Sequence, residues 1–237
     1  MSTAEVSSTR LACPRQAAQR GTLSPERIVA VALEIADSDG LDAVSMRNVA
    51  ATLGVGTMSL YTHVKDKDAL LVLMRDAQFA ECLVEDTGPD WRTGFTRVAR
   101  QTRESLLRHP WAVALGLRPA LGPNRLRHME QVLTIAAEIT DDPTAQRTII
   151  HAVDDLVIGC ATQELAARAI GADVPRPHCG LRRRINADPT LRALLASGEF
   201  PHLARVLAES SPFAAKRFEQ ALTWLLDGIE RTYQPDA

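Results

Sequence analysis

Hydroxyl, thioether and imidazole side chains crowd into the stretch TMSLYTH, which begins at Thr57. The hydroxyls of Thr57, Ser59 and Thr62 both donate and accept hydrogen bonds, and His63 offers two ring nitrogens. Met58 brings an apolar tip that can pack against a methyl group. Leu60 and Val64 are spaced to turn inward, so the others are left outside. Such a set can pair with the edges of bases and pack on thymine methyls without carrying a large charge.

These side chains act together only if short helices hold them out. Ser24 is placed to cap a first helix that begins at Pro25, a residue suited to the first helical position. Ile28, Val31, Ala32 and Ile35 then recur at intervals of three and four, one buried face, and Gly40 ends the run. Ser45 caps a second helix, with Met46, Val49, Ala50 and Leu53 on one side and Gly54 as its stop. Val55 turns inward, and GTMSLYTHV has room for little more than two turns. Three helices this short, joined this tightly, form a tri-helical helix-turn-helix, whose third helix must protrude to enter a groove about 12 Å wide.

Composition leans the same way. Of 237 residues, 46% are hydrophobic and only 4% aromatic, with Ala and Leu dispersed throughout; both are strong helix formers. The fold class is therefore all-α: an N-terminal helix-turn-helix domain at 23–70 and a larger helical bundle at 71–237. Residues 1–22 are read as a flexible basic arm, with Arg10, Arg15 and Arg20 against Glu5. The net charge is −2, and residues 1–70 hold seven basic residues against eight acidic ones. Non-specific coating of nucleic acid is thus disfavoured, and binding must come from arrangement. The four cysteines lie far apart without a C-x-x-C pair, which fits reduced thiols. With no apolar leader and no membrane span, the expected location is the cytoplasm.

In the larger domain a long helix opens at DALLVLMRD, and Phe95, Val98, Ala99, Thr102 and Leu106 form a later stripe. Residues 143–170 make a helix apolar on more than one side, and 212–233 carry another broad stripe. Both suit a four-helix interface between two copies of the chain; the alternative is that they complete the monomer core. Residues 172–190, with three prolines and Arg182, Arg183 and Arg184, break the helical pattern and read as a mobile loop.

The segment from Ser24 to Leu71 resembles the DNA-binding domain of the tetracycline-repressor family of bacterial regulators. The match lies in SMRNVA from Ser45, LGV from Leu53, LYTHV from Leu60, and Lys67 with Ala69, Leu70 and Leu71. The terminal WLLDGIE resembles a recurrent close of that family. The likeness implies that Arg47 meets the major-groove rim and that Thr57, Met58, Ser59 and Thr62 read base edges. Tyr61 and His63 fall at phosphate-contacting positions, with Lys67 beside a phosphate. Met58 and Thr62 depart from residues frequent in the family, so the operator preference does not carry over. A homodimer on double-stranded DNA is implied, released by a small organic effector.

In that family the region 90–210 resembles a ligand chamber. Trp91, Phe95, Trp111, Leu115, Leu117, Met129, Leu133 and Ile150 are candidates for its apolar wall, and Gln101, His128, His151, Asp154, Asp155 and Gln163 for its polar contacts. Phe95, Trp111, Met129, His151, Asp155 and Gln163 are the residues chosen as ligand-binding, against the alternative of a satisfied core or interface network. No catalytic residue, metal site or cofactor is expected, since G-x-S-x-G, H-E-x-x-H, P-loop and G-x-G-x-x-G motifs are all missing. The competing classes are a helical protein-interaction module and, more remotely, an enzyme.

Overall fold

The computed structural model describes residues 22–115, 121–169, 185–208 and 214–233. The N-terminal arm and most of the arginine-rich loop lie outside the described residues. The described secondary structure is helical, as the composition implies: α1 (Pro25–Asp39), α2 (Met46–Leu53), α3 (Thr57–Tyr61), α4 (Lys67–Cys82), α5 (Trp91–Arg108), α6 (Pro110–Ala114), α7 (Pro123–Ala137), α8 (Pro143–Ala169), α9 (Pro189–Ala196), α10 (Pro201–Ala208) and α11 (Ala214–Tyr233).

Local chemistry sets the ends of the first four helices. The Ser24 hydroxyl accepts from the Arg27 N–H and the Ser45 hydroxyl from the Asn48 N–H, each satisfying an otherwise orphaned donor. Gly54 closes α2 at φ 69°, a left-handed conformation that costs a residue with a Cβ, and its N–H returns to the last turn of the helix. Asp66 caps α4 through the Ala69 N–H at 2.8 Å. α3 is shorter than its apolar spacing suggests, because Thr62 ends it and folds its hydroxyl back onto the Ser59 carbonyl at 2.7 Å.

α1, α2 and α3 enclose a small core of Ile28, Ala32, Val44, Val49, Leu60 and Val64, all buried. α4 runs from this core into the larger bundle, where it packs on α5 and α7. α5 lies mainly against α8, and α11 packs on α8 while pairing its carboxylates with arginines of α5. Phe218, Leu222, Leu226 and Ile229 form the buried stripe of α11. Arg103 binds the buried carboxylate of Glu164 and lies over the Phe218 ring at 5.1 Å, joining α5, α8 and α11 at one point.

A second polar knot ties the small core to the large one. His109, buried at the end of α5, sets Nδ1 2.8 Å from Asp37 of α1 and Nε2 3.0 Å from Glu81 of α4. The Trp111 indole N–H donates to the same Asp37 oxygen at 2.7 Å. Buried polar groups joined in this way hold one arrangement tightly, since leaving either acceptor unmade is costly.

Candidate functional site

The exposed face of the small domain carries the side chains singled out in the sequence. Met58 is 77% exposed and Tyr61 45%, although both flank the fully buried Leu60. Ser59, Thr62, His63 and Lys67 are also exposed, while Thr57, at the first position of α3, is half-buried. Arg47 stands exposed on the first turn of α2. Among the described residues it makes no ion pair, and neither do Lys65 and Lys67. Tyr61 thus lies open to solvent, and among the described residues these cations are not paired with neighbouring carboxylates. Glu26, at the start of α1, lies close enough to His63 to feel its charge; the Ser24 hydroxyl is the main reason its pKa lies below the usual range. One surface thus gathers hydroxyls, an apolar tip and unpaired donors, which is the composition that base edges and phosphates require.

About one helix length away, the bundle encloses a cavity of about 480 Å³, within the size range of small-molecule sites. α4 contributes Arg75, Gln78, Phe79 and Cys82, α5 contributes Thr102 and Leu106, and α7 contributes Arg125, His128 and Met129. His151, Asp154, Asp155 and Ile158 of α8 complete the lining. Gln78, itself buried, accepts from Arg75 at 2.7 Å and donates to Ser105 at 2.7 Å, so the Arg75 guanidinium is held in place.

Burial shifts several titratable groups of this wall. His128 is pushed down to about 4, by desolvation first and then by the charges of Arg125 and Arg75. Burial raises the Asp154 carboxyl, while Arg125 and His151 oppose the shift. Burial likewise lifts the Cys82 thiol. The ring nitrogens of His128 and the Thr102 hydroxyl have no hydrogen-bond partner among the described residues.

Asp76, one residue after Arg75, faces the start of α7. Its carboxylate accepts from the Arg125 N–H at 2.9 Å and from the Asn124 side chain at 3.2 Å, capping α7 from another helix. Gly122 permits this approach, because a Cβ there would collide with that carboxylate. α4 and α7 are thereby fastened together at the cavity's edge.

Comparison with known proteins decides what this pair of sites belongs to. Residues 28–74 match the family model described as bacterial regulatory proteins, tetR family. Residues 85–233 match the tetracyclin repressor-like C-terminal domain. The chain belongs to the tetracycline-repressor family.

Its relatives in that family include the HTH-type transcriptional repressor DrrR1 of Streptomyces coeruleorubidus, 37% identical over 88% of this chain and 78% of that protein. The class A tetracycline repressor from transposon 1721 in Escherichia coli is 26% identical over 88% of this chain and 91% of its own length. Among solved structures, apo ActR of Streptomyces coelicolor superposes with a TM-score of 0.73 at 28% identity, covering 91% of this chain and 98% of that one. ActR in complex with actinorhodin gives 0.72 at 28%, covering 90% and 100%. This tetracycline-repressor relative is a DNA-binding transcriptional regulator that responds to a ligand, and not an enzyme. Among its described residues no helix is long and apolar enough to cross a membrane.

Of the six side chains chosen from the sequence for the regulator's ligand chamber, the cavity gathers Met129, His151 and Asp155. Phe95, Trp111 and Gln163 do not line it. Phe95 is buried in the main core and Trp111 is held by Asp37, while Gln163 sits exposed further along α8. The cavity wall instead includes Arg75, Phe79, Thr102 and Arg125, which sequence reading passed over. Arg75 and Phe79 are spaced i,i+4 on the long helix that opens at DALLVLMRD, and Arg125 and His128 are spaced i,i+3 on α7. Charged residues on the apolar faces of two neighbouring helices were the available signal.

Proposed function

We propose that this regulator is a homodimeric repressor that leaves a palindromic operator when a small organic molecule fills the cavity. The observation carrying this reading is the course of α4. Its first turn, at Lys67, stands beside the exposed face of α3, and its last two turns supply Arg75, Gln78, Phe79 and Cys82 to the cavity. Sixteen residues span roughly 24 Å at 1.5 Å per residue, so a rigid rod joins the two sites. A ligand that pushes on Phe79 or on α7 tilts that rod, because Asp76 fastens the two helices.

In this reading Thr57, Met58, Ser59 and Thr62 contact bases, and Arg47, Tyr61, His63 and Lys67 contact the backbone. One such head covers only about 600–1,000 Å² of interface, so two heads one helical turn apart, about 34–36 Å, are needed for discrimination. The pairing surface is formed by α8 and α11, where Trp224 stands 65% exposed on the outer side of α11. Tilting the heads by a few ångströms spoils simultaneous contact with both half-sites. Each 1.4 kcal/mol of coupling lowers operator affinity tenfold. The relative ActR, solved with actinorhodin, supports a small-molecule occupant of the chamber.

A reporter gene placed behind the DNA upstream of the chain's own gene, in a bacterium that lacks the chain, tests this. Expression of the chain lowers reporter output, and a compound that binds the purified protein restores it. Increased output on expression of the chain alone would overturn the repressor reading.

A further inference from the structure

The cavity's side chains narrow what it can hold, an inference that rests on reading the cavity as the effector site. Arg75 and Arg125 come from different helices, yet their guanidinium groups lie 4.7 and 4.5 Å from the centroid of one ring, that of Phe79. Two cations sharing one ring repel each other, and the ring quadrupole offsets only part of that repulsion. Among the described residues neither guanidinium has a carboxylate within ion-pair distance. The partner of Arg75 is the neutral oxygen of Gln78. Burial draws the Arg75 pKa down, and the charge of Arg125 adds to the effect. The Asp154 carboxyl lies near enough to feel the charge of Arg125 but forms no ion pair with it, and a cation drawn partly out of water without a bonded counter-ion is costly.

His128 supplies an independent observation. It is 2% exposed, lines the cavity, and has no partner for either ring nitrogen among the described residues. Native interiors rarely leave such a group unpaired unless something else fills the space beside it. Its ring lies 5.6 Å from Phe79, next to the two guanidiniums. A neutral imidazole there offers one N–H donor, and the arginines add forked donors matched to a carboxylate.

We propose that the cavity takes an aromatic organic acid, its anionic oxygens seated between Arg75 and Arg125 and hydrogen-bonded by His128. The ring system then lies along Phe79, Leu106 and Ile158. Asp154 and Asp155 of α8, which also line the cavity, accept from hydroxyl or amide donors of the ligand. A cationic group at this end is disfavoured, because the two guanidiniums repel it.

Calorimetric titration of the full-length protein with matched acids and amides tests this: 2-naphthoate, anthracene-2-carboxylate and anthraquinone-2-carboxylate, each against its carboxamide. At least one acid binds once per chain and more than tenfold tighter than its amide. Arg75→Gln and Arg125→Gln each abolish that preference while amide affinity changes less than twofold. Amides binding as tightly as the acids would overturn the anionic class and leave the cavity as the effector site. If no compound of either kind binds, the cavity reading falls, and the acid with it. A variant that loses acid and amide alike reports unfolding, and the wild-type preference for acid over amide then decides alone.

Discussion

Tyr61 and Ser59 stand two residues apart on the same short helix, yet they are assigned different work, and that difference can be measured. A phenolic hydroxyl that donates to a phosphate carries no base information. Tyr61→Phe therefore weakens binding to every DNA sequence by a similar amount, about 1.5–3 kcal/mol for a hydrogen bond to a charged group. Ser59→Ala instead changes the preference at one position of each half-site, and binding profiles over a set of single-base variants separate the two outcomes. His128 makes a prediction about stability. Its pKa lies near 4 in the folded chain, against about 6.5 when unfolded. As pH falls below 6.5 the unfolded chain takes up a proton that the folded chain refuses, so stability drops until about pH 4 and then levels off. The loss is on the order of 3 kcal/mol at 1.36 kcal/mol per unit. The Asp154 carboxyl, raised by burial, contributes a slope of its own. Urea midpoints of wild type and His128→Gln, compared from pH 7 to 4.5, isolate the His128 part: the gap between them shifts in favour of the variant as pH falls.

Among the elements, α4 and its grip on α7 matter most. Asp76→Ala removes the cap on α7 and costs about 1–3 kcal/mol of stability, the usual penalty for stranding buried donors. Operator binding by the unliganded protein survives within a few-fold, because the heads are untouched, but ligand-driven release is blunted at least tenfold. Fluorescence anisotropy of labelled operator DNA, titrated with and without ligand, reads both quantities. The helical frame behind this mechanism was legible in the sequence. Ser24, Ser45 and Gly54 mark helix ends by backbone chemistry that acts over three or four residues, and the apolar spacing of Leu60 and Val64 is equally local. The cavity was legible only in part. Its cationic end arises where Arg75 and Phe79 of α4 meet Arg125 and His128 of α7, and no pattern within either helix says that those faces touch. Phe95 and Trp111, chosen for their apolar bulk, lie outside this cavity: one is packed in the core and the other is held by the Asp37 hydrogen bond.

For the whole molecule, function depends on two chains acting as one. α8 is 27 residues long and α11 is 20, and in the proposed dimer the exposed Trp224 anchors their shared outer surface, since buried indoles dominate the energetics of interfaces. Trp224→Ala raises the dimer dissociation constant about 30-fold, equivalent to roughly 2 kcal/mol, and light scattering across a dilution series detects it. Monomers lose palindrome binding even though each head is intact. Operator binding also weakens with salt, the log–log slope being about 0.9 per phosphate neutralised, so DNA experiments need a fixed ionic strength. The most direct measurement is selection of DNA from a randomised duplex pool by the full-length protein. Enrichment of an inverted repeat, its two half-sites centred one helical turn or a whole multiple of it apart, is the predicted result. A single asymmetric site, or no enrichment above the starting pool, would contradict twin α3 rods seated in the grooves of one operator.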